Sequence, residues 1–110
     1  MASGTPVAAT NWSGPTAFLD GENGYPLRYA PDLAPVGEGP FADHRWAEPD
    51  VAHLAAILRR ARDDPSERAR LGANARATMV ERFAPAVLAR KVQRHLHRIH
   101  LHENPAPGEL

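Results

Sequence analysis

The chain has 110 residues, no cysteine and a formal net charge of zero, with two arginines and seven acids in residues 1–50 and eleven basic residues and six acids in 51–110. Without cysteine there is no disulfide framework and no thiolate zinc site, which fits a cytoplasmic protein. No apolar run approaches the roughly 20 residues of a membrane span, and Met1-Ala-Ser-Gly4 lacks the basic start and apolar core of an export signal.

Met1-Ala-Ser-Gly4 reads as the last turn and glycine stop of a helix, with Gly4 in the left-handed conformation that follows a helix end. Thr5-Pro-Val-Ala-Ala-Thr10 predicts a short buried strand that tolerates Pro6 at its start. A helix end feeding a strand looks like the later part of a larger α/β domain. Asn11-Trp-Ser-Gly-Pro15 predicts a turn, and Pro15 suits the first position of a short helix through Leu19. Asp20-Gly-Glu-Asn-Gly24 predicts a second turn. Tyr25–Tyr29 reads as extended, with Pro26 favouring an edge. Residues 30–49 predict a long irregular connection, either functional or laid across a surface.

The second half predicts three helices. Asp50 is the first N-cap, and Val51, Leu54, Ala55 and Leu58 recur on one helical face. Asp63-Asp64-Pro65 ends that helix and starts the next, which carries an apolar stripe of Leu71, Ala75, Met79 and Phe83. Gly72 within it costs about 1 kcal/mol relative to alanine, and predicts a close approach by a neighbouring helix. Ala84-Pro85 restarts the chain, and Leu88, Val92, Leu96 and Ile99 mark a third helix to about His102. Residues 104–110 predict a disordered tail. The arginines of this half alternate with alanine and leucine and have acids among them, which predicts a solvated face and no nucleic-acid partner. With seven aromatic residues and much alanine the core is thin, and two short strands cannot cover all three helical stripes.

The residues that could carry chemistry each have a plain alternative. Thr10–Gly14 follows a strand and precedes a short helix, the place where open parallel sheets bind ligands and free amides favour phosphate. Asn11 or Ser13 would add hydrogen bonds to a sugar or phosphate; by spacing alone, a capped turn with Ser13 satisfying backbone donors is the simpler reading. His95, His97, His100 and His102 contain no i, i+4 pair, so positive charge at a helix end explains them better than a metal site. Glu22, Glu38, Glu48 and Asp50 lack the apolar context that raises a carboxyl pKa, and His44 and His53 lack a triad pattern. No catalytic residue, metal site or cofactor follows from these patterns.

Residues 1–19 resemble the late part of retaining glycosyltransferases of family four, and Glu22–Arg28, Gly39-Pro-Phe41, Trp46–Asp50 and Glu81–Pro85 agree in order and spacing over about residues 1–100. The resemblance implies an α/β fold, a partial Rossmann-like C-terminal domain of the two-domain GT-B architecture, whose final helices pack back toward the first domain. Its parts would be a strand–loop–strand unit over 1–29, the connection 30–49 and helices over 50–103. It implies transfer of a hexose from a nucleotide-sugar donor to an acceptor with retention, with Thr10, Asn11, Ser13 and Gly14 beside the donor. The family's paired glutamates and the basic pair on the diphosphate would lie upstream of Met1, and Ala17 stands where the family usually has glutamate. The isolated chain is therefore expected to be inactive. The competing expectation is a small helical interaction module, self-associating through exposed helix faces in 50–102.

Overall fold

The longest buried face belongs to a helix over Pro65–Phe83 (α2), and the rest of the chain is tied to it. The computed structural model describes residues 1–35, 37, 39–42 and 44–103. Among them are four strands, β1 (Ala8–Thr10), β2 (Tyr25–Leu27), β3 (Ala34–Pro35) and β4 (Arg45–Trp46). A 3-10 turn spans Gly14–Ala17, and two further helices are α1 (Val51–Asp63) and α3 (Pro85–Glu103). The chain is thus a mixed α/β structure with two small sheets.

β1 and β2 pair in parallel, Ala8 opposite Tyr25 and Thr10 opposite Leu27. The Tyr25 amide donates to the Val7 carbonyl at 2.9 Å and the Asn11 amide to the Leu27 carbonyl at 2.8 Å, closing the ladder at both ends. The first strand is shorter than the run Thr5–Thr10 suggests, and Ala8 is exposed rather than buried. No described strand pairs with its outer edge. The connection over 30–49 is less irregular than its composition implies, because β3 and β4 form a short antiparallel hairpin with Ala34 opposite Trp46.

Tyr25 and Leu27, two residues apart, lie on one face of β2 and pack with Ile57 of α1 and Leu71 of α2; Leu54 and Ala61 close the cluster. The buried side of α1 is therefore Leu54, Ile57 and Ala61. The expected face is rotated in part: Val51 is 73% exposed and Leu58 58% exposed, while Leu54 and Ala55 are half-buried. The reason is tertiary, since Ile57 is the residue that meets the sheet and α2 together. The stripe expected on α2 is real at one end, where Leu71 and Ala75 are buried, and half-buried at Met79 and Phe83. Gly72 does mark a close approach, but by backbone rather than by a helix: a Cβ there would overlap the Gly4 carbonyl oxygen. Gly4 holds φ +79 and donates its amide to the Met1 carbonyl at 2.9 Å, forming the expected turn.

Both helix caps are where the sequence places them. Asp50 Oδ1 accepts from the His53 amide at 2.8 Å, and Asp64 Oδ1 accepts from the Glu67 amide at 2.8 Å. These hydrogen bonds are the main reason both carboxyls lie below their ordinary pKa; Arg28 adds to the effect at Asp50 and the Ser66 hydroxyl at Asp64. The polar side of α2 is not merely solvated. Arg76 donates to the Ala2 carbonyl at 2.5 Å, Asn74 to Glu22 at 2.7 Å and Arg82 to Ala17 at 2.7 Å. These contacts fix the first turn and both later turns against the helix.

α3 is different. It leaves α2 at Ala84, and every residue from Leu88 to His100 is exposed. The radius of gyration is 20.0 Å, against about 13 Å for a compact chain of this length. No described helix is long and apolar enough to cross a membrane. The tail 104–110 and Glu38 lie outside the described residues, as does the side chain of His102.

Candidate functional site

Parallel pairing puts the C-terminal ends of β1 and β2 on the same side of the molecule, and a cleft of about 470 Å³ opens beside Thr10 there. Thr10 and Trp12 form one wall, and Trp46, Ala47, Glu48 and Pro49 form the other. The first wall is shaped by a tight turn in which the Trp12 amide donates to the Thr10 carbonyl at 2.8 Å. The second is held along the continuation of β2: the Ala30 amide donates to the Glu48 carbonyl at 2.9 Å, and Tyr29 bridges Pro49. The Asp50 amide then donates to the Arg28 carbonyl at 2.9 Å, so the α1 cap and the cleft wall are anchored by one stretch of backbone. Glu48 is the one charged residue among the described residues that line the cleft.

Of the four residues implied for donor binding, Thr10 lines this cleft. Asn11 is engaged through its backbone by Leu27, with its side chain exposed. Ser13 sits at φ 56, an uncommon conformation for a residue with a side chain. Its hydroxyl makes no capping bond, so the expectation that it satisfies backbone donors fails; its carbonyl instead accepts from the Thr16 hydroxyl at 2.7 Å. Gly14 has open space where a Cβ would be. It begins a four-residue 3-10 turn with Pro15 in its first turn, not an α-helix. Ala17 is exposed, and its carbonyl is the one held by Arg82.

Several other candidates have structural partners. Glu22 pairs with Arg70 at 3.2 Å, and Asp50 pairs with Arg28 at 3.3 Å besides capping α1. His53 Nδ1 accepts from the Arg28 amide at 3.0 Å, which explains this histidine without a triad. His44 stacks obliquely near Phe41, and His95 Nδ1 lies 2.7 Å from Arg98. Among the described residues no three of His, Asp or Glu converge in a way that could hold a metal ion. A hollow of about 520 Å³ runs between Lys91, Arg94, His95 and Arg98. All four belong to the single exposed helix α3, so it is a furrow between side chains with no opposing wall.

Trp12, Trp46, Ala47 and Pro49 line the cleft without having been expected there. The signal available was that the chain has two tryptophans, one just beyond β1 and one at the end of β4. The bridge of Tyr29 with Pro49 ties the stretch after Trp46 to the end of β2, and both tryptophans line the cleft. Comparison with family models, with curated proteins and with solved structures gives no match to this chain.

Proposed function

We propose that the chain is part of the donor-binding domain of a nucleotide-sugar-dependent retaining glycosyltransferase, a partial Rossmann-like unit of a GT-B fold acting in the cytoplasm. The observation that carries this reading is the cleft beside the carboxyl ends of two parallel strands, with Thr10 and Trp12 on its wall. The motifs of residues 1–19 and 46–50, which carry the resemblance, supply both walls. The chain contains no Glu-x7-Glu pair, so its role is to bind rather than to turn over donor. Transfer in such enzymes rests on electrostatic stabilisation of the leaving diphosphate, and the described residues lining the cleft include no cation for that step.

Titration calorimetry of the whole chain with UDP-glucose and GDP-mannose tests the reading. Saturable binding of either, without release of free sugar and weakened by Thr10→Trp, is the expected outcome. Absence of binding by both nucleotide sugars, or hydrolysis by the chain itself, contradicts it.

A second reading, a helical module that self-associates, is favoured by one specific observation: α3 exposes Leu88, Val92, Leu96 and Ile99 in one row, with Leu96 60% exposed. A second copy of the chain would cover that row. Sedimentation equilibrium showing a concentration-dependent dimer supports it; a strict monomer at high concentration removes it.

A further inference from the structure

Up to its last residue, Glu103, the helix α3 carries charge of one sign. From Pro85 to His102 it has no acid and four permanent cations, Arg90, Lys91, Arg94 and Arg98. Among the described residues none of the four forms an ion pair. Lys91 donates to the Arg82 carbonyl at 3.3 Å, and Arg98 lies 2.7 Å from His95. Glu81 of α2 shares a hollow with Arg90 and Arg94 without pairing with either.

The apolar row is as regular as the charge. At about 100° per residue, Leu88, Val92, Leu96 and Ile99 fall within an arc of about 80°, and Lys91, Arg94 and Arg98 within an arc of about 60° to one side of it. The row and the cations adjoin. A furrow of about 400 Å³ runs between Lys91, Val92, His95 and Leu96, and Lys91 and His95 also border the basic furrow they share with Arg94 and Arg98. A second copy of the chain would cover the row but bring the four cations of each helix into one assembly, which like charges oppose. A nucleic acid would take the cations and leave the row in water. α3 has no aromatic anchor for a shaped protein pocket. A layer with an apolar interior and an anionic surface answers both the row and the charge.

We propose that α3 lies flat on an anionic lipid surface, with Leu88, Val92, Leu96 and Ile99 at the acyl boundary and Lys91, Arg94 and Arg98 among the headgroup phosphates. Amphipathic helices with a cationic polar face bury their apolar side about 5–10 Å into that boundary. Long lysine and arginine stems reach sideways from such a helix to the headgroups. The 19 residues of α3 make a helix about 28 Å long, and every residue from Leu88 to His100 is exposed, so the row is open along most of its length. This surface shares no residue with the cleft and does not depend on the donor-binding reading.

Co-sedimentation of the whole chain with vesicles tests this, using phosphatidylcholine alone and an equal mixture with phosphatidylglycerol. The expected result is saturable binding to the mixed vesicles, little to phosphatidylcholine, and weakening as salt rises. Leu96→Gln removes apolar contact at constant charge, and the double variant Arg94→Gln, Arg98→Gln removes charge and keeps the row. Each weakens binding by about tenfold or more. The thermal midpoint stays unchanged in both, because all three positions are exposed. If Leu96→Gln disturbs the fold, the double variant and the salt dependence decide the matter. Absence of binding to mixed vesicles overturns the proposal, as does equal binding to both kinds. Vesicle binding that neither variant weakens places the contact elsewhere on the chain and overturns it too. Poly(U) and polyglutamate present charge without acyl chains. Binding to either that matches the vesicles and ignores Leu96→Gln assigns α3 to a nucleic acid or an acidic protein and overturns the lipid surface. A dimer in sedimentation equilibrium that Leu96→Gln dissociates gives the row to a second copy, with the same consequence.

Discussion

Asn23 is the buried polar residue on which two turns depend. Its Oδ1 accepts from the Asp20 amide at 3.0 Å, and its Nδ2 donates to the Phe18 carbonyl at 2.9 Å and to Thr78 of α2 at 3.3 Å. Tyr25, two residues on, is the opposite case. Its hydroxyl is buried with no hydrogen-bond partner, and burial, reinforced by the Glu67 charge, raises its pKa. Removing an unpaired buried hydroxyl removes a desolvation cost, so Tyr25→Phe is expected to stabilise the chain by about 1 kcal/mol. A higher thermal midpoint by circular dichroism is the expected result; a lower one shows that the hydroxyl has a partner. At Gly72 two effects compete. Alanine is the better helix former by about 1 kcal/mol, but its Cβ would overlap the Gly4 backbone. Overpacking against backbone costs about 1–3 kcal/mol, so Gly72→Ala is expected to lower stability in urea denaturation. The glycine's importance was legible in the sequence. Its partner was not, because the contact joins residues 4 and 72.

At the scale of elements, helices and caps were the legible part. Asp50, Asp64, Pro65 and the break at Ala84-Pro85 act within one turn, so their meaning is written locally. The face of α1 was not legible, because Val51 and Leu58 are as apolar as Ile57 and only the sheet decides between them. The hairpin of β3 and β4 escaped for a related reason: strands of two residues have no periodicity to read. The caps also make a pH prediction. Both aspartates have folded pKa values below their ordinary ones, while in the unfolded chain they return to about 3.9. Their stabilisation is thus complete above the unfolded value and is lost as pH falls through the lowered folded values. The thermal midpoint should drop below about pH 4. In the double variant Asp50→Asn, Asp64→Asn, which keeps neutral capping groups, the drop should be shallower. An equal drop in that variant places the acid sensitivity elsewhere. For α3, Leu96→Glu is expected to leave the unfolding free energy within about 0.5 kcal/mol of the parent, as for a solvated surface position. A large loss means that Leu96 is covered in solution, as in a dimer.

The whole molecule is a small α/β body from which one helix extends. Arg60 and Glu67 form an ion pair joining the end of α1 to the start of α2, and α2 in turn grips the turns that precede both parallel strands. Trp46 reaches the cleft through contacts remote in sequence, from Ala30 to Glu48 and from Tyr29 to Pro49, which is why Thr10 was readable as a cleft residue and Trp46 was not. Among the described residues no strand pairs with the outer edge of β1, and the apolar row of α3 is exposed. The central claim, that the cleft at the strand ends is where this protein meets its ligand, is tested most directly by amide chemical-shift mapping of the whole chain with UDP-glucose and GDP-mannose. The account predicts shifts gathered on Thr10–Gly14 and Trp46–Pro49, with Lys91–Arg98 of α3 unchanged. Shifts confined to α3, or none with either nucleotide sugar, would contradict it.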